Sequence, residues 1–280
     1  MSAIRYKTAP QGRTHIASLD QHITEYFSAT ATATSTLNRG DVIELQGPAG
    51  SGKTQLLYFW AMMTLLPPEL MISCAGIRER VSLDGMDQAV VVCDCDGRWS
   101  MRRLKLVMET YIYSRLSTVF DGQRGHFDPP ISAVITKALQ NLHIFRPNSS
   151  LSLAATLATL PSHHATHLPD TEIGALMIDS LSAFYWPNKW RAEESAADRK
   201  RRGDTLGPDP HANPLRHVLA AIQHLRVTLG IVTYLTTWGL TLLEDPSAPT
   251  PVPANTSMNT DEMQVDPYPV PTPIQGPPYF

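Results

Sequence analysis

Cysteine is scarce and unevenly placed in this sequence. Cys74, Cys93 and Cys95 are the three in 280 residues, too few for a disulfide framework, and their use implies a reducing compartment. Long hydrophobic runs are missing as well: the longest, Leu56 to Leu66, is too short to cross a bilayer. Charge of one sign is also lacking. A formal net charge of −3 gives no global pull toward nucleic acid or membrane, so any DNA contact has to come from a local basic patch. No internal repeat of solenoid length is present. Residues 1–19 contain no acid but carry Arg5, Lys7 and Arg13, a composition shared with mitochondrial presequences. Pro10 and Gly12 interrupt any amphipathic helix there, so residues 1–38 are expected to be a flexible arm.

Proline is abundant and concentrated at one end. Residues 244–280, from Pro246 through Pro278, have almost no apolar periodicity and read as a disordered, partly polyproline-like tail. Between arm and tail, apolar β-rich runs alternate with helical patterns, which predicts βα units and a mainly parallel sheet flanked by helices over residues 39–243. Strands are expected near 42–46, 89–94, 142–146, 174–179 and 230–236. Helices are expected near 53–66, 100–118, 131–140, 151–160 and 213–228, with Pro67 and Pro68 stopping the first and Pro214 suiting the first turn of the last. Residues 187–212 are polar, charged and punctuated by glycine and proline, and read as a long loop.

The most informative stretch is Gly47-Pro48-Ala49-Gly50-Ser51-Gly52-Lys53-Thr54, set between the apolar run Val42 to Leu45 and a helix-like run. Strand, glycine-rich turn and helix are the context a phosphate-binding loop requires. Its glycines let successive backbone N–H groups turn inward around phosphates, and the helix N-terminus adds its positive end. Lys53 is expected to reach the β- and γ-phosphates of ATP, and the Thr54 hydroxyl to hold Mg²⁺. The run Gly174 to Ser180 delivers Asp179 at the C-terminal end of an apolar strand, where ligands bind in open α/β sheets, making it the partner of the same Mg²⁺. Asp179 as a simple turn cap is the plainer alternative. Ser180 follows it, so a general base has to come from elsewhere. The candidate is the Asp94-Cys95-Asp96-Gly97 strand end, whose two carboxylates share a face only if the strand continues that far.

Gly40-Asp41-Val42-Ile43-Glu44, the loop itself, Asp94-Cys95-Asp96-Gly97, Arg146-Pro147 after a strand, and Ile178-Asp179-Ser180-Leu181-Ser182-Ala183-Phe184-Tyr185-Trp186 together resemble the RecA-like recombinase superfamily over roughly residues 40 to 238. The resemblance implies a P-loop NTPase of RecA-like fold. It implies an ATP-binding accessory factor of homologous recombination, nuclear, working with other recombinase paralogues on single-stranded or branched DNA. In the family the catalytic Glu of an Asp-Thr-Glu strand end matches Asp96, one methylene shorter here. Loss of a general base typically costs 10²–10⁴-fold, so weak or absent hydrolysis is expected. Family members also end the strand near 230–236 with a polar Asn-Gln pair, whereas this chain reads Thr236-Thr237-Trp238; an indole donates one hydrogen bond and cannot mimic an amide.

The 187–212 segment falls where the family places its first DNA-binding loop, and it carries Arg199, Lys200, Arg201 and Arg202. Four adjacent cations suit phosphate neutralisation, a nuclear localisation patch, or a solvated charged surface offset by Glu193, Glu194, Asp198 and Asp204. Phe184-Tyr185-Trp186 suits either a partner surface or the core. His163, His164 and His167 read as a polar loop, and Cys93 and Cys95 as buried small hydrophobes. Alongside the assembly partner with weak turnover stand a DNA-stimulated ATPase using Asp96 as base and a structural adaptor whose loop is vestigial.

Overall fold

A computed structural model describes residues 12–28, 37–74, 77–118, 128–203 and 213–238. Strand β1 (Val42–Gly47) leads through the glycine-rich turn into α2 (Lys53–Leu65), the second helix after α1 (Ala17–Ser28). A hairpin of β2 (Glu69–Cys74) and β3 (Ile77–Ser82) follows, then β4 (Ala89–Asp94), α3 (Met101–Ser117), α4 (Asp128–Gln140) and β5 (Leu142–Phe145). The chain continues as α5 (Ser150–His167), β6 (Ile173–Asp179), a short 3₁₀ turn (Leu181–Phe184), α6 (Tyr185–Arg201), α7 (Leu215–Thr228) and β7 (Val232–Trp238).

Five strands form one sheet in the order β1-β7-β6-β4-β5, every neighbouring pair parallel. The physical cause is legible in β4 and β6, which are apolar on both faces. Val90, Val92, Ala175 and Met177 face one core, built with Leu57, Trp60 and Met63 of α2, Leu104, Met108 and Ile112 of α3, and Ile135 of α4. Val91, Cys93, Leu176 and Ile178 face the other, built with Leu153, Leu157 and Leu160 of α5 and Val218, Ile222 and Leu225 of α7. Each such side chain contributes about 1.5–3 kcal/mol on burial, so this two-sided pattern commits both strands to the sheet interior. The α/β class, the five strands and the helices flanking them agree with the sequence reading.

Three expectations are corrected. Residues 187–212 are not one loop, because α6 covers residues 185–201. Ala192, Glu193, Glu194, Ala196, Ala197, Arg199 and Lys200 are good helix formers, and Lys189 pairs with Glu193 four residues on. The punctuation falls at the ends: Pro187 sits in the first turn, where a missing N–H costs nothing, and Gly203, at φ 72°, follows the last turn. Residues 204–212 lie outside the described residues. The arm is likewise ordered over residues 12–28. Thr14 gives its carbonyl to buried Trp60 Nε1 at 2.9 Å, its N–H donates to Asp20 of α1 at 2.7 Å, and Leu19 packs against the core. Finally, α5 does not stop at residue 160 but runs through Pro161 to His167. Leu157 and Leu160 on one side and Leu168 on the other are buried in the same core, which holds the register across one missing donor. The sequence pattern also leaves out the β2–β3 hairpin. The 244–280 tail lies outside the described residues.

Candidate functional site

The C-terminal ends of β1, β4, β6 and β7 converge on one cavity of about 520 Å³, lined by the loop from Pro48 to Thr54 with Gln55, Asp96, Arg98, Asp179, Ser180, Thr236 and Trp238. Two glycines make the loop's shape possible. Gly50 and Gly52 have φ of 80° and 88°, in the left-handed region that a side chain disfavours. Gly47 leaves room for Ser51 Oγ, which would lie 2.9 Å from an added Cβ. The loop ends as the N-terminus of α2, whose first turn contains no acidic residue to compete for its free N–H groups. Lys53 Nζ donates to its own loop, to the carbonyls of Gly47 at 2.7 Å and Pro48 at 2.8 Å and to Ser51 Oγ at 3.3 Å. An arriving phosphate would compete with these acceptors for the ammonium.

Asp179 forms the centre of the site. Its side chain is buried, and each oxygen has one hydroxyl partner: Thr54 donates to Oδ2 at 2.9 Å and Thr236 to Oδ1 at 2.6 Å. The Asp179 carbonyl also accepts from Cys95 N at 2.7 Å, tying the end of β6 to the end of β4. A carboxylate joined to the hydroxyl at the start of α2 is the donor set a hard cation with a phosphate partner would take. Both side-chain oxygens of Asp179 go to hydroxyls, Thr54 lying 125 residues away, and among the described residues neither accepts from the backbone of the following turn as a turn cap would.

The two carboxylates after β4 separate. The strand stops at Asp94, which is buried and accepts from Arg98 N at 2.9 Å and Trp99 N at 3.2 Å, with Arg146 Nε at 3.4 Å. Asp94 therefore holds the turn. Asp96 lies beyond the strand and lines the cavity. Burial pushes its carboxyl pKa up, the charge of Asp179 adds to this, and Arg98 and Lys53 oppose it. Gln55, at the mouth, accepts from Arg103 Nη2 at 2.8 Å.

The basic run lies apart. Arg199, half-buried, and the exposed Lys200 and Arg201 end α6, exposed Arg202 follows it, Arg201 lies near Asp198, and none of the four lines the cavity. Further back on the same helix, Trp186 and Trp190 are 58% and 71% exposed, and Lys189 Nζ lies 5.4 Å from the Trp186 ring centre. Phe184 is buried, so the aromatic trio divides between core and surface. His163 and His167 stack at the end of α5, and His163 Nε2 lies 3.1 Å from His143 Nδ1 of β5. Burial raises the Cys93 thiol to about 12, and it behaves as an inert core residue. Thr236, marked in the sequence only as a departure from the family's strand end, bonds Asp179 in the cavity, and Arg98 lines the cavity without belonging to any motif. The signal for both is position: one follows the apolar run of β7, the other lies two residues beyond Asp96.

No protein-family model matches the chain. The DNA repair protein XRCC2 of Mus musculus is 30% identical over 158 residues, covering 56% of this chain and 46% of that protein. The XRCC2 homolog of Arabidopsis thaliana is 22% identical over 221 residues, covering 71% and 55%. The chain spans about half the length of the curated relatives it matches. Over the matched regions the chain is similar to these two DNA repair proteins.

Proposed function

We propose that this chain is an ATP- and Mg²⁺-binding recombinase paralogue that assists homologous-recombination repair in the nucleus as an assembly partner of other paralogues, with weak or no hydrolysis. The observation that carries the reading is the Thr54–Asp179 hydrogen bond inside the loop-lined cavity. Loop N–H groups and Lys53 would hold the phosphates. Thr54 would ligate the ion, and Asp179, steadied by Thr236, would hold that hydroxyl and balance the charge. Repair and recombination enter from the relatives' printed names. The shortened side chain of Asp96 supports slow turnover. The exposed cations Lys200, Arg201 and Arg202, with half-buried Arg199 beside them, would supply a sequence-independent contact to single-stranded or branched DNA.

One observation favours a second reading, a DNA-stimulated ATPase. Asp96 lines the cavity, and its raised pKa makes it a better proton acceptor than an ordinary Asp. Binding of Mg²⁺-ATP and steady-state hydrolysis, each with and without single-stranded DNA, separate the two. Negligible turnover in both conditions supports the assembly partner; DNA-stimulated turnover lost in Asp96→Asn supports the motor.

A further inference from the structure

We propose that Arg98 is the residue that distinguishes a nucleoside triphosphate from a diphosphate in this cavity, placing a cation from the same chain on the terminal phosphate. The inference rests on the nucleotide reading above and names what sets its ligand preference.

Arg98 follows a turn built to place it. Gly97 adopts φ 66°, and both oxygens of buried Asp94 accept from the backbone of the next residues, Arg98 N and Trp99 N. The main chain is thus pinned at the point where the arginine leaves it. Arg98 lines the same cavity as the glycine-rich loop, on the same segment as Asp96.

The neighbouring cations are already engaged. Lys53 is held by its loop, Arg103 by Gln55 and Arg146 by Asp94. The Arg98 guanidinium makes no hydrogen bond or ion pair among the described residues, although its charge is felt at Asp96. A fork of donors facing a phosphate-shaped cavity suits oxyanion recognition, and arginine does this in a bidentate way that lysine cannot.

Position selects the phosphate. Loop amides and Lys53 take the phosphates nearest the start of α2. Asp96 and Arg98 line the cavity from the segment after β4, separate in sequence from the loop and the start of α2, and a terminal phosphate extending past those the loop holds would meet them. Lys53 and Arg98 then oppose Asp96 and Asp179, two cations against two anions. Removing Arg98 leaves an excess of negative charge where a γ-phosphate has to sit. A diphosphate does not reach that end and is spared.

The test uses the full chain, with wild type, Arg98→Ala, Arg98→Lys and, as a charge control, Arg102→Ala, since Arg102 is exposed on α3 and does not line the cavity. Affinities for a non-hydrolysable ATP analogue and for ADP are measured with Mg²⁺ by calorimetry, and each variant's melting temperature is recorded. The expected result is about a tenfold loss of analogue affinity in Arg98→Ala, ADP affinity within about twofold of wild type, an intermediate Arg98→Lys and an unchanged Arg102→Ala. Equal loss for both nucleotides, or no loss for either, in a variant that melts like wild type overturns the role of Arg98 and leaves nucleotide binding standing. Failure of wild type to bind either nucleotide defeats the nucleotide reading, and this inference with it.

Discussion

Asp96 and Asp179 share one cavity but differ in what holds them. Asp179 accepts two short hydroxyl hydrogen bonds, so its charge is met by fixed dipoles. Asp96 is burdened by burial and by Asp179, which raise its pKa, and the consequence for stability has a definite sign. Above its raised pKa the folded protein carries the strained charge, as does the unfolded chain without strain. As pH falls through that value the folded state takes up a proton first and gains stability, until the ordinary carboxyl value of 3.8 is passed. Asp96→Asn is therefore expected to melt at or above the wild-type temperature at pH 7, the gap closing as pH is lowered toward 3.8; calorimetric melts at several pH values check this. A lower melting temperature at pH 7 would mean that Asp96 makes a stabilising contact. At Thr236 the outcome is opposite. Thr236→Val removes one partner of a buried carboxylate and is expected to cost about 1.5–3 kcal/mol in chemical denaturation and to weaken Mg²⁺-dependent nucleotide binding together.

Elements were legible from sequence where one physical pattern dominated. The apolar runs of β4 and β6, buried on both faces, had no other reading, and the glycine-rich turn fixed where β1 ends and α2 begins. Elements that depend on weaker signals were missed. Helix α6 has no buried residue, so no apolar stripe marks it, and its propensity is outweighed in a pattern reading by its charge. In the β2–β3 hairpin, Leu70, Ile72 and Val81 are buried beside exposed neighbours such as Met71 and Arg80, on short strands after two prolines. Helix α1 owes its place to contacts such as Trp60 with Thr14, distant in sequence. The same contrast grades two mutations. Leu157→Ala, in the two-sided core, is expected to cost about 2–5 kcal/mol by denaturant titration, whereas Ala196→Gly on exposed α6 should cost no more than about 1 kcal/mol. At the end of α5 the histidines add a pH dependence. Burial and the neighbouring imidazoles, His163 and His167 around His143 and His164 and His167 around His163, lower the pKa of both His143 and His163. A depressed base contributes stability that is present above the ordinary imidazole value of 6.5 and lost as pH falls below it. Amide protection factors in residues 160–168, corrected for the intrinsic pH dependence of exchange, are expected to fall below that pH; constant protection factors down to about pH 5 would contradict it.

At the scale of the whole molecule, the sheet places its ligand-facing loops at one end and leaves β1 with a strand neighbour on one side only among the described residues. Such an edge offers unpaired backbone groups to another chain, in keeping with an assembly partner. Sedimentation is expected to show concentration-dependent association, and a monodisperse monomer across a wide concentration range would count against it. Nucleotide binding by this fold is tested by Mg²⁺-ATP titration of wild type beside Lys53→Ala, read by calorimetry and followed by hydrolysis with and without single-stranded DNA. The expected result is binding that Lys53→Ala removes and little turnover in either condition. Wild-type protein that melts cooperatively yet binds no nucleotide would contradict it.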